Sequence, residues 1–290
     1  MRIAVISVLY GGGRGRELWA RGIERAREAP GVVADVDVIA VDNGSADAGS
    51  GALPDRSRVV RPARNIGFAA GCNLGIGHAP GADLVVLLNP DVELGEDFLR
   101  RLLELEWPDD LAARGPAVMT PDGQVEQSAR AFPSARTGLL GRTSLLARVR
   151  PASALVTQQL RADPSVGTQD VDWVSGACLV VPADRFDRVG PLDEGYFMYW
   201  EDADWCRRAR DRGYRVEYEP SLVVTHRQGA SARSRPLFTT VVFHRSALRY
   251  WRRHVSGSAA ATGLAAVALA GRCAVKLITV ATRSRGRRRD

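Results

Sequence analysis

Two stretches of the chain are apolar almost without interruption, "RIAVISVLY" at 2–10 and "ADLVVLLNPD" at 82–91. Runs of this kind, bounded by turn residues, predict strands buried on both faces of a parallel sheet. "DVDVIAVDNGS" (35–45) and "SRVVRPA" (57–63) predict a second and a third strand. Between the strands, "LWARGIERAREA" carries helical spacing and stops at Pro30-Gly31. "NIGFAAGCNLGIGHA" (65–79) places glycines and small residues at helical spacing, as for a helix packed closely on a sheet. Strands and helices alternate at βαβ spacing, so the first ninety residues predict a doubly wound, mostly parallel α/β sheet.

The second half is less regular. "GEDFLRRLLELE" (95–106) predicts a helix with acidic residues in its first turn, where the macrodipole favours them. "PAVMTPDGQVEQSAR" predicts a hairpin around Pro121-Asp122-Gly123. Residues 134–170 are polar and weakly periodic and receive no assignment. Beyond them come a strand and short helix (173–190), a helix (201–214), a strand (215–226) and helical pattern from 236 to the end. No internal repeat is visible.

Composition adds little until charge is located. The chain has 290 residues, 45% of them apolar, and a formal net charge of +7. The excess sits in "RSRGRRRD", with five arginines in the last eight positions. Cys72, Cys178, Cys206 and Cys273 form neither a CxxC pair nor a disulfide framework, so a reducing cytosol is the expected compartment. The N-terminus enters a strand pattern directly and carries no signal-peptide pattern. A basic tail can bind nucleic acid, but no recognition module accompanies it, and no nucleic-acid partner is expected.

Chemistry gathers where the predicted strands end. Asp42 in "VDNGS" and Asp91 in "LLNPDVEL" both close buried strands, and carboxyl ends of strands in open α/β sheets are where ligands bind. Turn formation alone also accounts for Asp-Asn-Gly-Ser. "RNIGFAAGCNLGI" (64–76) is glycine-rich but is not GxGxxG; Gly71 and Gly75 equally suit helix–sheet packing, while Arg64 and Asn65 are better placed for a ligand. In "MYWEDADWCRRAR", Glu201 and Asp202 follow the aromatics Tyr196, Phe197, Tyr199 and Trp200. Acids there can simply cap a helix. Beside aromatic walls they also suit a sugar pocket with a general base. His226 ends an apolar strand, where a lone histidine is more often structural than a ligand; with Asp91 it offers an imidazole–carboxylate pair suited to Mn²⁺.

In their order and spacing, "VDNGS", "RNIGFAAGCNLGI", "LLNPDVEL", "SGACLVVPADRFDRVGPLDEGYFMYWEDADWCRRARDRGYRVEYEP" and "TH" resemble an inverting family-2 glycosyltransferase with the GT-A fold. More narrowly, they resemble bacterial rhamnosyltransferases that extend lipid-linked saccharides, over roughly residues 2–230. The resemblance implies a glycosyltransferase domain at 1–230, split into a nucleotide-sugar half (1–93) and an acceptor half (94–230), and a helical basic tail at 231–290. It implies that Asp42 contacts base or ribose, and that Arg64, Asn65, Gly67 and Asn89 line the nucleotide pocket. Asp91 would hold a divalent cation, Mn²⁺ or Mg²⁺, and His226 would be a further ligand to metal or diphosphate. Asp202 would be the catalytic base, with Glu201 beside it. Trp173, Gly176, Tyr199 and Trp200 would face the acceptor.

Two departures stand out. The first acid of the family's D-x-D element is Asn89 here, which predicts weaker metal binding. The first strand runs "SVLYGGGRG" where the family often has Thr-Tyr-Asn, leaving Ser7 or Tyr10 as first-strand contacts and a more mobile loop at 11–15. The donor the resemblance implies is dTDP-L-rhamnose and the acceptor a polyprenyl-diphosphate-linked GlcNAc. Alternatives are a UDP-sugar transferase of the same fold (galactofuranose, glucose or GlcNAc), an inactive GT-A scaffold and a Rossmann-type enzyme. The apolar stretch 256–271 is shorter than the roughly 20 residues a span needs. With "FHRSALRYWRRH" before it and arginines after, it predicts a peripheral anchor on the inner face of the cell membrane; a buried C-terminal helix with a solvated basic end is the alternative.

Overall fold

The computed structural model describes residues 1–11, 14–45, 52–134, 162–163, 165–227 and 235–286. Most of the unassigned segment 134–170, two residues of the glycine-rich loop and the last four residues lie outside these.

One ten-stranded sheet organises the chain, built from β1 (Arg2–Leu9), β2 (Asp35–Asp42), β3 (Arg58–Val60), β4 (Leu84–Leu88), β5 (Val92–Leu94), β6 (Leu111–Met119), β7 (Val125–Glu126), β9 (Gln169–Val171), β11 (Cys178–Pro182) and β12 (Arg215–His226). The remaining strands, β8 (Ala129–Arg130) and β10 (Trp173–Val174), pair with each other. The main order is β3-β2-β1-β4-β11-β6-β12-β5, with β7 on β6 and β9 on β12. Strands β3, β2, β1 and β4 are parallel, as the βαβ spacing predicts. Then β11 inserts antiparallel between β4 and β6, and the second half is mixed.

The apolar runs have the expected cause. Ile3, Val5 and Leu9 face one core with Trp19 and Ile23 of α1 (Arg14–Glu28), while Ala4, Ile6 and Val8 face the other. Both faces of β1 are covered, so no polar alternation survives. Helix α2 (Phe68–Gly77) lies on the second face. A Cβ on Gly71 would meet Val8 at 2.9 Å and one on Gly75 would meet Ile6 at 2.4 Å, so both glycines serve close packing. The helix predicted at 95–106 is α3, trimmed to Phe98–Glu104, and the predicted hairpin pairs Val118 with Glu126 and Met119 with Val125.

Three helices frame the far end of the sheet: α4 (Asp184–Val189), α5 (Glu201–Asp211) and, after β12, α6 (Pro236–His254). Helix α6 lies beyond the expected division at residue 230 and contacts the body before it. Helix α6 is bound to the body through Asp204, which is fully buried, accepts from Arg208 of its own helix and meets His254 Nε2 at 2.7 Å. Ser246 donates to the Met198 carbonyl, and Arg249 pairs with Asp193.

The last helix, α7 (Ala259–Gly286), corrects the expectation of a short apolar segment. It runs straight through Arg272 and Lys276, since both residue types are good helix formers and can lift their charges clear of apolar surroundings. Ala259–Thr282, 24 residues, is long and apolar enough to cross a membrane, and little of it is covered by the rest of the chain.

Candidate active site

A cleft of about 840 Å³ opens at the carboxyl ends of β1 and β4, between the body and α6. Its floor begins with the loop after β2. Asn43 accepts a hydrogen bond from the Ile66 N–H and donates to the Asn65 side chain and the Gly67 carbonyl. Gly67 has φ +88°, and a Cβ there would lie 2.6 Å from the Phe197 carbonyl oxygen, so only glycine fits. This close approach lets the Phe68 N–H donate to the same oxygen and ties the loop before α2 to the aromatic run before α5.

Within that run, Tyr199 (φ +70°) and Trp200 (φ +74°) are both left-handed. Two consecutive aromatic residues in this region are strained, and such strain clusters at ligand sites. They are braced by α6: Tyr199 meets Phe243 edge-on at 5.6 Å, and Trp200 stacks near Phe243 and Tyr250 at 5.8 and 5.1 Å. The turn aims Glu201 and Asp202 into the cleft at the start of α5.

The two acids have different surroundings. Asp202 keeps an edge open to the cleft and accepts from the N–H groups of Gly176 and Ala203, both at 2.8 Å. Burial raises its pKa, and those two donors with the Arg130 charge limit the rise. Glu201 is 5% exposed and its Oε2 has no hydrogen-bond partner. Burial and then the Asp202 charge push it well above the usual carboxylate range. Of the pair, Glu201 has the surroundings that oppose ionisation more strongly, and Asp202 has the backbone donors that favour it. The Trp200 indole N–H is a second buried polar group without a partner. Buried polar groups left unpaired by the protein suit a polar ligand.

On the sheet side, Asp91 and His226 meet, with Oδ1 and Nε2 3.5 Å apart. The Asp91 carbonyl also accepts the Arg227 N–H, so the loop after β4 and the end of β12 are joined. On the other ring edge, His226 Nδ1 lies 3.1 Å from Glu126 Oε2. Burial lowers the His226 pKa, but Asp91 and Glu126 outweigh it and the net shift is upward. A carboxylate behind Nδ1 orients Nε2 toward the cleft, the arrangement that outer carboxylates give metal-bound histidines. Among the described residues no three acidic, histidine or cysteine groups converge to hold a cation unaided. Asp91 and His226 fit a cation that takes its other ligands from a diphosphate and water, the usual habit of Mg²⁺ sites.

Of the residues singled out from sequence, Tyr10, Asn65, Gly67, Asn89, Asp91, Trp173, Gly176, Tyr199, Trp200, Glu201, Asp202 and His226 line this one cleft. Three do not. Ser7 is fully buried on the opposite face of β1 and accepts from Trp19 Nε1 at 2.8 Å. Asp42 stands beside the cleft rather than in it, accepting the Ser45 N–H and pairing with Arg61 at 3.5 Å. Burial opposes its ionisation, but those partners leave its pKa lowered. Arg64 is exposed and outside the lining. The sequence reading missed Asn43, Glu126, Arg130 and Arg235. Arg130 lies 5.4 Å from the Trp173 ring, and Arg235 lies 5.9 Å from that of Tyr10.

Comparison with known proteins resolves what this cleft belongs to. Residues 20–115 match the glycosyl transferase family 2 profile. The N-acetylglucosaminyl-diphospho-decaprenol L-rhamnosyltransferase of Mycobacterium tuberculosis is 33% identical over 261 residues, 84% of this chain and 82% of that protein. The chain belongs to glycosyl transferase family 2. The glycosyltransferase also shares its GT-A fold with solved structures. The mannosyltransferase PcManGT from Pyrobaculum calidifontis, in complex with GDP-Man and Mn²⁺, superposes with a TM-score of 0.55 at 15% identity, over 97% of this chain and 80% of its own. GalNAc-T7 with UDP, GalNAc and Mn²⁺ gives 0.55 at 13% identity, over 79% of this chain and 44% of its own. Both were thus solved with Mn²⁺ alongside a nucleotide or nucleotide sugar. In this glycosyltransferase the cleft is completed by Arg235, Phe238, Thr239 and Phe243 of and just before α6, beyond the segment the family profile covers.

Proposed function

We propose that this glycosyltransferase moves L-rhamnose from dTDP-L-rhamnose onto a hydroxyl of a polyprenyl-diphosphate-linked GlcNAc, in cell-wall or polysaccharide synthesis. The observation that carries the sugar and the acceptor is the identity with the mycobacterial rhamnosyltransferase along most of both chains. The cleft supplies what the chemistry needs. Asp202, open at one edge and fixed by two backbone donors, takes the proton of the acceptor hydroxyl as it attacks the anomeric carbon. The unpartnered Glu201 Oε2 and the Trp200 indole N–H offer hydrogen bonds to the hydroxyls and oxygens of a sugar. One direct displacement inverts the anomeric configuration, so no covalent enzyme intermediate is needed.

A divalent cation held by Asp91 and His226, with Asn89 adjoining, would neutralise the charge that the departing diphosphate gains. Glu126→Gln is then expected to weaken Mn²⁺ binding by about 10- to 100-fold, because the Nδ1 partner no longer fixes the imidazole. Titration of Mn²⁺ into the protein with dTDP, followed by calorimetry, reads this directly; an unchanged affinity removes Glu126 from the role.

We place the enzyme on the inner face of the cell membrane, peripherally. Helix α7 touches α6 along one side, with Lys276 5.9 Å from the Phe243 ring, and leaves Leu264, Val267 and Val275 exposed, an apolar face suited to lying in an interface.

The decisive assay supplies purified enzyme, Mn²⁺ and GlcNAc-diphospho-decaprenol with either dTDP-L-rhamnose or UDP-sugars. Rhamnosylated lipid of inverted anomeric configuration is expected from the first donor only. Transfer from a UDP-sugar alone would retain the fold and mechanism and discard rhamnose.

A further inference from the structure

Helices α6 and α7 leave a groove of about 580 Å³ between them, away from the sheet. Leu237, Phe238 and Val241 form one wall and Leu277, Ile278 and Ala281 the other. Every lining side chain is apolar. A contiguous exposed apolar patch can mark a ligand groove. Here its surroundings say what it binds.

The groove and the cleft share a wall residue. Phe238 belongs to both, with one ring contributing to each lining, and it meets Phe197 of the strained aromatic run edge-on at 5.8 Å. The chain just before the groove is cationic: Arg235 lines the cleft one turn ahead of Phe238. The cleft thus holds two carboxyl side chains, an unpaired indole N–H and a guanidinium, and Phe238 joins its wall to an apolar trough. A molecule with a sugar, a diphosphate and a long hydrocarbon has matching chemistry.

We propose that the α6–α7 groove binds the first isoprene units of the acceptor's polyprenyl chain, as a subsite of the active site and distinct from attachment to the bilayer. This rests on the lipid-linked acceptor proposed above. The sugar lies against Asp202, the acceptor diphosphate passes Arg235, and the isoprenoid leaves over Phe238 between the two helices. Acceptor length then enters catalysis through affinity: a short-chain acceptor forgoes the groove and has a higher KM at a similar kcat.

The test uses the full chain in detergent micelles, so that membrane attachment plays no part. Leu237→Ser with Ile278→Ser makes the groove polar at two exposed positions that do not line the cleft. Rhamnosyl transfer is measured onto GlcNAc-diphospho-decaprenol and onto the same headgroup carrying a short alkyl chain. The expected result is a rise of roughly tenfold in KM for the decaprenyl acceptor, the ratio that about 1.4 kcal/mol represents, with the short-chain KM unchanged. Binding of the variant to anionic phospholipid vesicles should match that of the unaltered protein.

Unchanged KM for both acceptors overturns the proposal, as does an equal loss on both. Loss of vesicle binding without a chain-length effect would assign the groove to the bilayer surface instead. A change in oligomeric state of the variant, again without a chain-length effect, would assign it to a second copy. If the unaltered enzyme rhamnosylates neither acceptor, the functional reading itself fails and the groove proposal falls with it.

Discussion

Asp202→Asn is expected to lower kcat by about 10² to 10⁴ while leaving donor binding unchanged, the range a positioned general base contributes. The substitution is nearly isosteric, and the amide oxygen can still accept the Gly176 N–H that Asp202 accepts at 2.8 Å. What is lost is the ability to take a proton. The pH profile gives an independent readout. Asp202 works only when ionised, and burial holds its pKa above the ordinary carboxylate value. Activity should therefore be full above that raised pKa and fall as pH drops through it, with the acid limb displaced upward from where a free aspartate would put it. The residual rate of Asp202→Asn should lack this limb. A variant that turned over normally, with the limb intact, would move the base elsewhere in the cleft.

Asp91→Asn should be nearly as damaging, by a different route. Asp91 supplies the charged ligand of the proposed cation site, beside a histidine and with an asparagine where the family often has a second acid. With so few protein donors, loss of the carboxylate leaves the cation held chiefly by imidazole and ligand. Lewis-acid stabilisation of a leaving diphosphate is worth several kcal/mol, so kcat should fall by about two to three decades. Calorimetry with dTDP should show binding in Mn²⁺ dropping to the level seen in EDTA. The fold should survive, because the contact that joins the two strand ends uses the Asp91 carbonyl and the Arg227 N–H, not the carboxylate. Metal-dependent transfer at the original rate would exclude Asp91 as a ligand.

The sequence made the first half legible because burial on both faces leaves an unmistakable apolar run, as in β1 and β4. It also exposed Glu201 and Asp202, since an aromatic run entering a helix start is a local pattern. Ser7 and Asp42 show where local reasoning ends. Val8 lines the cleft, so strand alternation sends Ser7 to the opposite face, where Trp19 takes its hydroxyl. Asp42 belongs to its own turn, as Asp-Asn-Gly-Ser sequences often do, and Asn43 reaches the cleft instead. Glu126, Arg130 and Arg235 carried no usable signal. Glu126 arrives through the register of the β6–β7 hairpin, Arg130 lies just beyond it, and Arg235 arrives through the docking of α6 by Asp193 and Asp204. All three meet the site through residues far along the chain, Glu126 at His226, Arg130 at Trp173 and Arg235 at Tyr10. The length of α7 is hidden in the sequence because Arg272 and Lys276 interrupt an apolar stretch that the helix carries past them.

The left-handed pair at Tyr199 and Trp200 has a consequence for how this protein can change over evolutionary time. Each such residue costs roughly 1–3 kcal/mol of conformational energy, against a total stability that is small in any domain. The chain is thus held below the thermal tolerance its sheet and helices would permit, and the deficit is localised in two residues of the cleft wall. Glycine at either position would relax the backbone and remove an aromatic wall of the sugar pocket in the same step. Lineages of this enzyme that move to hotter environments are therefore expected to gain stability elsewhere, in surface ion pairs or shorter loops, and to leave this turn under strain.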